Sequence, residues 1–174
     1  REMTLNGENV ISLSSGEPDF DTPDHIKDSA IEAINDGFTK YTQVDGIPEL
    51  KKSIIYKFKN ENNLIYSEDQ ITVGAGGKHV IFNLLMSTLN KNDEVIIPSP
   101  YWVSYPDIVT LAEGVPVVVE TSMKDNFKVT PDQLEANINK NTKWFILNSP
   151  GNPTGAVYNK NELNLISKIL IKNP

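Results

Sequence analysis

The chain has 174 residues, of which 39% are hydrophobic, so it has the length of one ordinary domain and enough apolar side chains for a core. Its net charge of −7 argues against nucleic acid or an anionic membrane as a partner. The chain has no cysteine, no histidine pair at ligand spacing, no apolar run near ~18 residues and no signal-peptide layout, so we expect a cytoplasmic protein without disulfides or a metal site.

The first part of the chain predicts one short strand and two helices. Residues Val10–Leu13 are strand-like and lead into a loop. Thr22 and Pro23 predict a helix start, because threonine is a frequent N-cap and proline is favoured at the first helical position. Gly37 lies where this helix should end. A second helix is predicted over Pro48–Asn60, from apolar residues at helical spacing.

From residue 70 onward, the pattern alternates between strands and helices. The predicted strands are 70–73, 94–97, 115–120 and 143–147, and the predicted helices are 80–89, 102–112, one capped by Thr130 and one capped by Asn159 and Glu162. This alternation predicts an α/β fold, with a mostly parallel sheet flanked by helices. Since no strand follows the last helix before Pro174, we expect a truncated chain.

A glycine-rich segment, Gly74-Ala75-Gly76-Gly77-Lys78, separates a predicted strand from a predicted helix. It suits either a phosphate cradle at a helix N-terminus or a tight turn that needs positive φ. His79 stands where a P-loop needs serine or threonine and where a dinucleotide-binding loop needs its third glycine. These two nucleotide-binding motifs are therefore disfavoured. For His79 itself, and for His25, we expect a packing or solvent role.

Two further segments follow predicted strands, at the sheet edge where parallel α/β proteins bind ligands. Asn148–Gly155 combines asparagine, proline and glycine, and the Asn152-Pro153 bond is a candidate cis peptide. Pro98–Tyr105 contains three aromatic residues that could form a wall against a flat ring. Taken alone, Asn148–Gly155 also fits an ordinary turn, and Pro98–Tyr105 also fits ordinary side-chain packing.

Read together, these segments resemble the class I aminotransferases of the aspartate aminotransferase type, which are fold-type I enzymes dependent on pyridoxal 5'-phosphate (PLP). The resemblance spans nearly the whole chain, and its motifs occur in the family's order and spacing. The matching segments are Ser15-Gly16-Glu17-Pro18-Asp19-Phe20-Asp21-Thr22-Pro23, Lys40-Tyr41-Thr42, Gly46-Ile47-Pro48-Glu49-Leu50, Gly76-Gly77-Lys78, Pro100-Tyr101-Trp102-Val103-Ser104-Tyr105 and Asn152-Pro153-Thr154-Gly155.

The resemblance implies a PLP site in this chain. Gly76, Gly77 and Lys78 would bind the cofactor's phosphate through backbone N–H groups and nearby charge. Trp102 would stack on the pyridine ring. Asn152 would donate a hydrogen bond to the phenolic oxygen of that ring.

The same resemblance implies a substrate site and a homodimer. Gly16 would offer its N–H to the substrate carboxylate, close to Asn152 and Trp102. Lys78 would help to receive the distal carboxylate of a dicarboxylic substrate such as aspartate or prephenate. Tyr41 would reach across a homodimer to the neighbour's phosphate.

The family's remaining catalytic groups are expected downstream of this stretch. These are the Schiff-base lysine, the acidic partner of the pyridine nitrogen and the arginines that bind substrate carboxylates. The fifteen lysines include none in a Ser-x-Ser-Lys-like setting, and Arg1 is the single arginine. The resemblance assigns residues 1–15 to a segment associated with the small domain, and residues 16–174 to an incomplete large domain.

The expected function is amino-group transfer between an amino acid, with aspartate or another dicarboxylic donor favoured, and a 2-oxo acid. The 174 residues alone are expected to be inactive. Two alternatives remain open: an inactive half that binds PLP or phosphate, and another fold-type I PLP enzyme. A nucleotide-binding module is disfavoured by the mismatch at His79.

Overall fold

The computed structural model describes residues 2–11 and 16–174. They form two compact units, Arg1–Val44 and Asp45–Pro174. No helix in the described ranges is both long and apolar enough to cross a membrane. The helices are α1 (Glu2–Leu5), α2 (Asp24–Asn35), α3 (Pro48–Asn62), α4 (Gly77–Thr88), α5 (Ser104–Leu111), α6 (Pro131–Asn137) and α7 (Lys160–Lys172), and the strands are β1 (Glu94–Ser99), β2 (Val115–Glu120) and β3 (Thr142–Phe145).

The first unit contains α1 and α2. The predicted helix after Thr22 is present, but it begins after Pro23, whose ψ of 141° is extended rather than helical. Gly37 follows the helix with φ of 83°, as expected of a glycine at a helix C-terminus. The strand predicted at Val10–Leu13 is absent at its first two residues, and the other two lie outside the described residues.

The second unit is built on a parallel three-stranded sheet in the order β2-β1-β3. Both neighbours pair with β1, and this central strand is the most buried of the three. Helices connect and flank the strands, which confirms the predicted α/β fold with a parallel sheet.

The sheet is covered by helices on both faces, because alternate residues of β1 point in opposite directions. Val95 and Ile97 belong to a core that includes residues of α4 and α5. Ile96, between them, belongs to a second core that includes residues of α6 and α7. All three side chains are fully buried. The result is a layered arrangement whose strands all end at one edge.

One predicted strand of the second unit is wrong. Residues 71–73 have no regular secondary structure, and a short 3₁₀ helix, Glu68–Gln70, precedes them. Val73 donates its N–H to the Asp45 carbonyl at 3.0 Å, but none of the described residues forms a strand alongside that would extend this contact into a ladder. A β-prone sequence forms a strand only when a partner backbone is available.

The segment that leads to the glycine turn is held by a buried lysine. Lys51 on α3 is 6% exposed, pairs with the Asp45 carboxylate and donates to the Glu68 carbonyl at 3.3 Å. The hydrogen bond from Lys51 lowers the pKa of Asp45, and a backbone hydrogen bond adds to this effect. Gly46 has φ of +107°, and a Cβ there would lie 2.7 Å from Val73 Cγ2. Only glycine fits this close approach.

Two predicted capping boxes are present, at the starts of α6 and α7. The Thr130 side chain accepts the Gln133 N–H, and the Gln133 side chain accepts the Thr130 N–H. At α7, Asn159 and Glu162 make the equivalent pair of bonds. These boxes fix where both helices begin, as their local sequences predict.

We expect Glu162→Gln to destabilise the fold at neutral pH but not in acid. A hydrogen bond from Lys128, and a second from the Asn159 backbone, hold the pKa of Glu162 below its ordinary value of 4.5. Because the folded-state pKa is the lower one, the stabilisation is present above pH 4.5 and is lost as pH falls through the folded-state value. Glutamine keeps the oxygen acceptor but lacks the charge.

Urea denaturation of the wild type and of E162Q across this pH range tests the point. The difference between their free energies of unfolding should shrink as the pH falls below 4.5. A difference that stays constant with pH would mean that the charge of Glu162 does not stabilise the fold.

Candidate functional site

The glycine turn presents free backbone N–H groups at the start of α4. Gly76, at the N-cap, has φ of 91°, and no side chain caps the helix. The N–H groups of Gly77, Lys78 and His79 lie in the first helical turn, where the helix itself offers no acceptor. No other acceptor for them exists in residues 2–11 and 16–174. Three donors at the positive end of a helix dipole favour an anion.

The Gly76 N–H is not among these donors. It bonds to the Gly74 carbonyl at 2.9 Å and closes a tight turn around Ala75. Sequence reasoning assigned donor roles to residues 76–78, whereas the structure leaves 77–79 free. The difference arises because the positive φ of Gly76 turns its own N–H into the loop.

His79 braces this turn, a contact that sequence reasoning missed. Its Nδ1 accepts the Ala75 N–H at 3.0 Å, and its Nε2 lies 2.9 Å from the side-chain nitrogen of Asn83. His79 occupies the third position of α4, where a capping-box side chain reaches back to the preceding backbone. Its position in the helix could have indicated this contact from the sequence, but glutamate or glutamine, and not histidine, is the usual residue there.

Lys78 and Trp102 meet at this end of the unit. The Lys78 Nζ lies 5.0 Å from the centre of the Trp102 ring, within the range of a cation–π contact. The ring of Trp102 packs edge-on against Tyr105, with centroids 5.4 Å apart. Burial raises the pKa of the Tyr105 phenol, which therefore stays neutral. Thus the α4 turn and the aromatic segment after β1 lie together.

The loop after β3 holds Asn152 in a braced turn. The Asn148 side-chain oxygen accepts the Asn152 N–H at 2.8 Å, and the Gly151 N–H donates to the Ala156 carbonyl at 2.9 Å. The predicted cis bond between Asn152 and Pro153 is present. The Asn152 side chain is exposed, and no residue in the described ranges bonds to its amide. The loop therefore leaves the Asn152 side-chain amide free for a ligand. Asn148, which braces the loop, was not singled out from the sequence.

A small cavity joins Asn152 to the aromatic segment at the carboxyl ends of β1 and β3. Tyr101, Tyr105 and Asn148 are among its other lining residues. The enclosed space is about 30 Å³, close to the volume of one water molecule. A flat ring would have to bind over the open mouth of this cavity rather than inside it.

The other two predicted site residues belong to the first unit. Gly16 is exposed, and a Cβ there would meet no atom within 4 Å. Tyr41 is fully exposed. Their assigned roles, towards a substrate carboxylate and a neighbouring subunit, stay predictions.

Comparison with known proteins agrees with this arrangement. Residues 8–173 match the family model described as aminotransferase class I and II. The aspartate/prephenate aminotransferases of Cereibacter sphaeroides and Nitrosomonas europaea are 58% and 55% identical over 174 and 172 residues. The match covers all of this chain and 44% of the first relative, and 99% of this chain and 43% of the second.

Solved structures give the same result. The aspartate aminotransferase of Rhizobium meliloti superposes with a TM-score of 0.93 at 48% identity, over 99% of this chain and 43% of that one. The Thermus thermophilus aspartate aminotransferase, solved with maleate, superposes with a TM-score of 0.92 at 43% identity, over 98% of this chain and 45% of that one. The chain thus spans less than half the length of the relatives that it matches. On its sequence and fold, it belongs to the class I and II aminotransferase family.

Proposed function

We propose that this chain provides the PLP-binding part of an aminotransferase that moves an amino group between an amino acid and a 2-oxo acid. The observation that carries the proposal is the uncapped start of α4, together with the contact between the Lys78 side chain of the same helical turn and the Trp102 ring. An anion site beside an aromatic face suits a cofactor that has a phosphate and a flat ring. Family membership supports the same assignment.

The residues present fit the phosphate of PLP. Gly77, Lys78 and His79 supply backbone donors, and Gly76 supplies the left-handed conformation that exposes them. The Lys78 side chain adds a positive charge at the same helix end. Since α4 is twelve residues long, its dipole also favours a dianion at this position.

The ring of the cofactor is assigned to Trp102 and Asn152. Trp102 is half-buried and held edge-on by Tyr105, so its orientation is set before a ring binds. Asn152 has an unbonded amide on a braced loop and can donate to a phenolic oxygen. When bound, PLP supplies an electron sink, and the protein supplies binding, orientation and exclusion of water.

We further propose a dicarboxylic substrate. Lys78 is the cation in this part of the second unit that can pair with a distal carboxylate. The relatives named aspartate/prephenate aminotransferase, and the Thermus structure with the dicarboxylate maleate, support this choice. Gly16 would bind the other carboxylate and Tyr41 a neighbouring subunit's phosphate; both assignments, and that of residues 1–15 to a small-domain segment, rest on the resemblance.

The intact mass after PLP and borohydride treatment tests the proposed function. In the full natural polypeptide that carries this sequence, we expect one covalent pyridoxyl group, because the family's cofactor-bearing lysine should be present there. The 174-residue chain alone should gain no stoichiometric adduct and should not transaminate.

Absence of an adduct on the full natural polypeptide would refute the proposal. A stoichiometric adduct on the 174-residue chain would show that one of its fifteen lysines carries the cofactor, and would refute the expected inactivity. An adduct together with amino-acid decarboxylation or elimination, but no transfer, would favour another PLP enzyme of this fold.

A further inference from the structure

We propose that His79 is a positioning residue for the phosphate site: as a neutral imidazole protonated on Nε2, it holds the Ala75 N–H and so fixes the direction of the three free N–H groups. The inference rests on the proposed PLP site, and it concerns a side chain that would not itself contact the cofactor. It assigns a function to a contact within the turn.

The geometry of the turn requires such a brace. Two of the four residues before α4 are glycine, and glycine loses more conformational freedom on ordering than any other residue. The hydrogen bonds within the turn are Gly76 N–H to the Gly74 carbonyl, at 2.9 Å, and Ala75 N–H to His79 Nδ1, at 3.0 Å. The second one ties the loop to the helix that carries the donors.

His79 also packs directly against the loop. A Cβ at Gly74 would lie 3.2 Å from His79 Nδ1 and 2.7 Å from Val80 Cγ2. The loop backbone therefore lies against the first helical turn, with no space for another side chain. A change in the imidazole would move the backbone next to it.

The protonation state follows from the bonds. Because Nδ1 accepts an N–H, it carries no proton, and a neutral ring then holds its proton on Nε2. The Asn83 atom placed 2.9 Å from Nε2 is the side-chain nitrogen Nδ2, so a protonated Nε2 requires the opposite orientation of that amide, with its oxygen as the acceptor. The Ala75 N–H therefore decides the tautomer, because it excludes a proton on Nδ1.

His79 also keeps the anion site to three donors. With its acceptor in place, the Ala75 N–H is satisfied inside the turn. Without it, Ala75 would become a further free donor in a loop that can rotate. A phosphate would then meet a less ordered set of N–H groups and would have to order them on binding, which lowers its affinity.

The experiment compares His79→Leu and His79→Gln with the wild type in the full natural polypeptide. Apparent Kd values are measured for PLP and for pyridoxal, which has the same ring without the phosphate. We expect His79→Leu to weaken PLP binding by roughly two- to tenfold, the range for one lost hydrogen bond, and to leave pyridoxal binding unchanged. Glutamine has an oxygen acceptor, so His79→Gln should restore most of the PLP affinity.

The outcomes separate this inference from the proposed function. A wild type with no preference for PLP over pyridoxal would refute the phosphate site itself. If the wild type shows the preference and His79→Leu retains it, or loses affinity for both ligands equally, the positioning role is wrong.

A spectroscopic measurement does not depend on the folding of any variant. The ¹⁵N shifts of the His79 imidazole in the wild type distinguish the two neutral tautomers and the charged form. We expect the proton on Nε2 and none on Nδ1. A ring protonated on Nδ1 could not accept the Ala75 N–H and would overturn the inference.

Discussion

Replacing Ile96 with alanine is expected to lower the free energy of unfolding by about 2–5 kcal/mol. Ile96 is fully buried at the centre of β1, and its side chain lies in the core on the α6 and α7 face of the sheet. Removing it eliminates apolar burial and leaves a cavity between elements that cannot close, because the sheet and two helices hold its walls.

The matched control is Ile171→Ala, the same chemical change at a position on α7 that is 77% exposed. It should alter stability by no more than about 0.5 kcal/mol, as for most surface changes. Urea denaturation of the three proteins gives both values. Similar losses at the two positions would mean that β1 does not lie at the centre of the core.

The replacement of Lys78 by alanine is expected to reduce the preference for aspartate over alanine by about 10- to 100-fold. The proposed pairing of Lys78 with a distal carboxylate is a charge-assisted hydrogen bond, worth about 1.5–3 kcal/mol. Alanine as a substrate has no distal carboxylate, so it cannot lose this contact. Dividing kcat/KM for one substrate by that for the other removes any common effect of Lys78 on the cofactor.

Two further variants sharpen this measurement. Lys91→Ala removes the same charge from an exposed turn before β1 and should leave the ratio unchanged. Lys78→Arg keeps the charge and should retain most of the preference. If Lys78→Ala leaves the ratio at its wild-type value, Lys78 does not select a dicarboxylic substrate.

The parts of this fold that were predicted correctly depend on short-range patterns. The capping boxes of α6 and α7 involve residues three apart, so their sequences alone specify them. β1 and β2 are apolar runs bounded by turn residues, and both were located. The glycine turn was located because its glycines directly precede a helical pattern in the sequence.

The errors arose where distant residues decide the outcome. Residues 70–73 have a strand-like sequence, but the part of the chain that the structure describes contains no neighbouring strand to pair with them. Nothing in the sequence singled out Lys51, yet Asp45 and the Glu68 carbonyl allow it to be buried. From the sequence alone, the aromatic segment also fitted ordinary packing, and the loop that contains Asn152 also fitted an ordinary turn.

By itself, the sequence determined the class of fold, the order of the helices and strands from α4 to α7, and the residue types available for an anion and a flat ring. Only the tertiary structure decided which donors of the glycine turn are free, and that Lys78 lies against Trp102. The reason is physical: helix starts and strand patterns depend on neighbours in sequence, whereas a free N–H or a cation over a ring depends on which distant groups the sheet brings together.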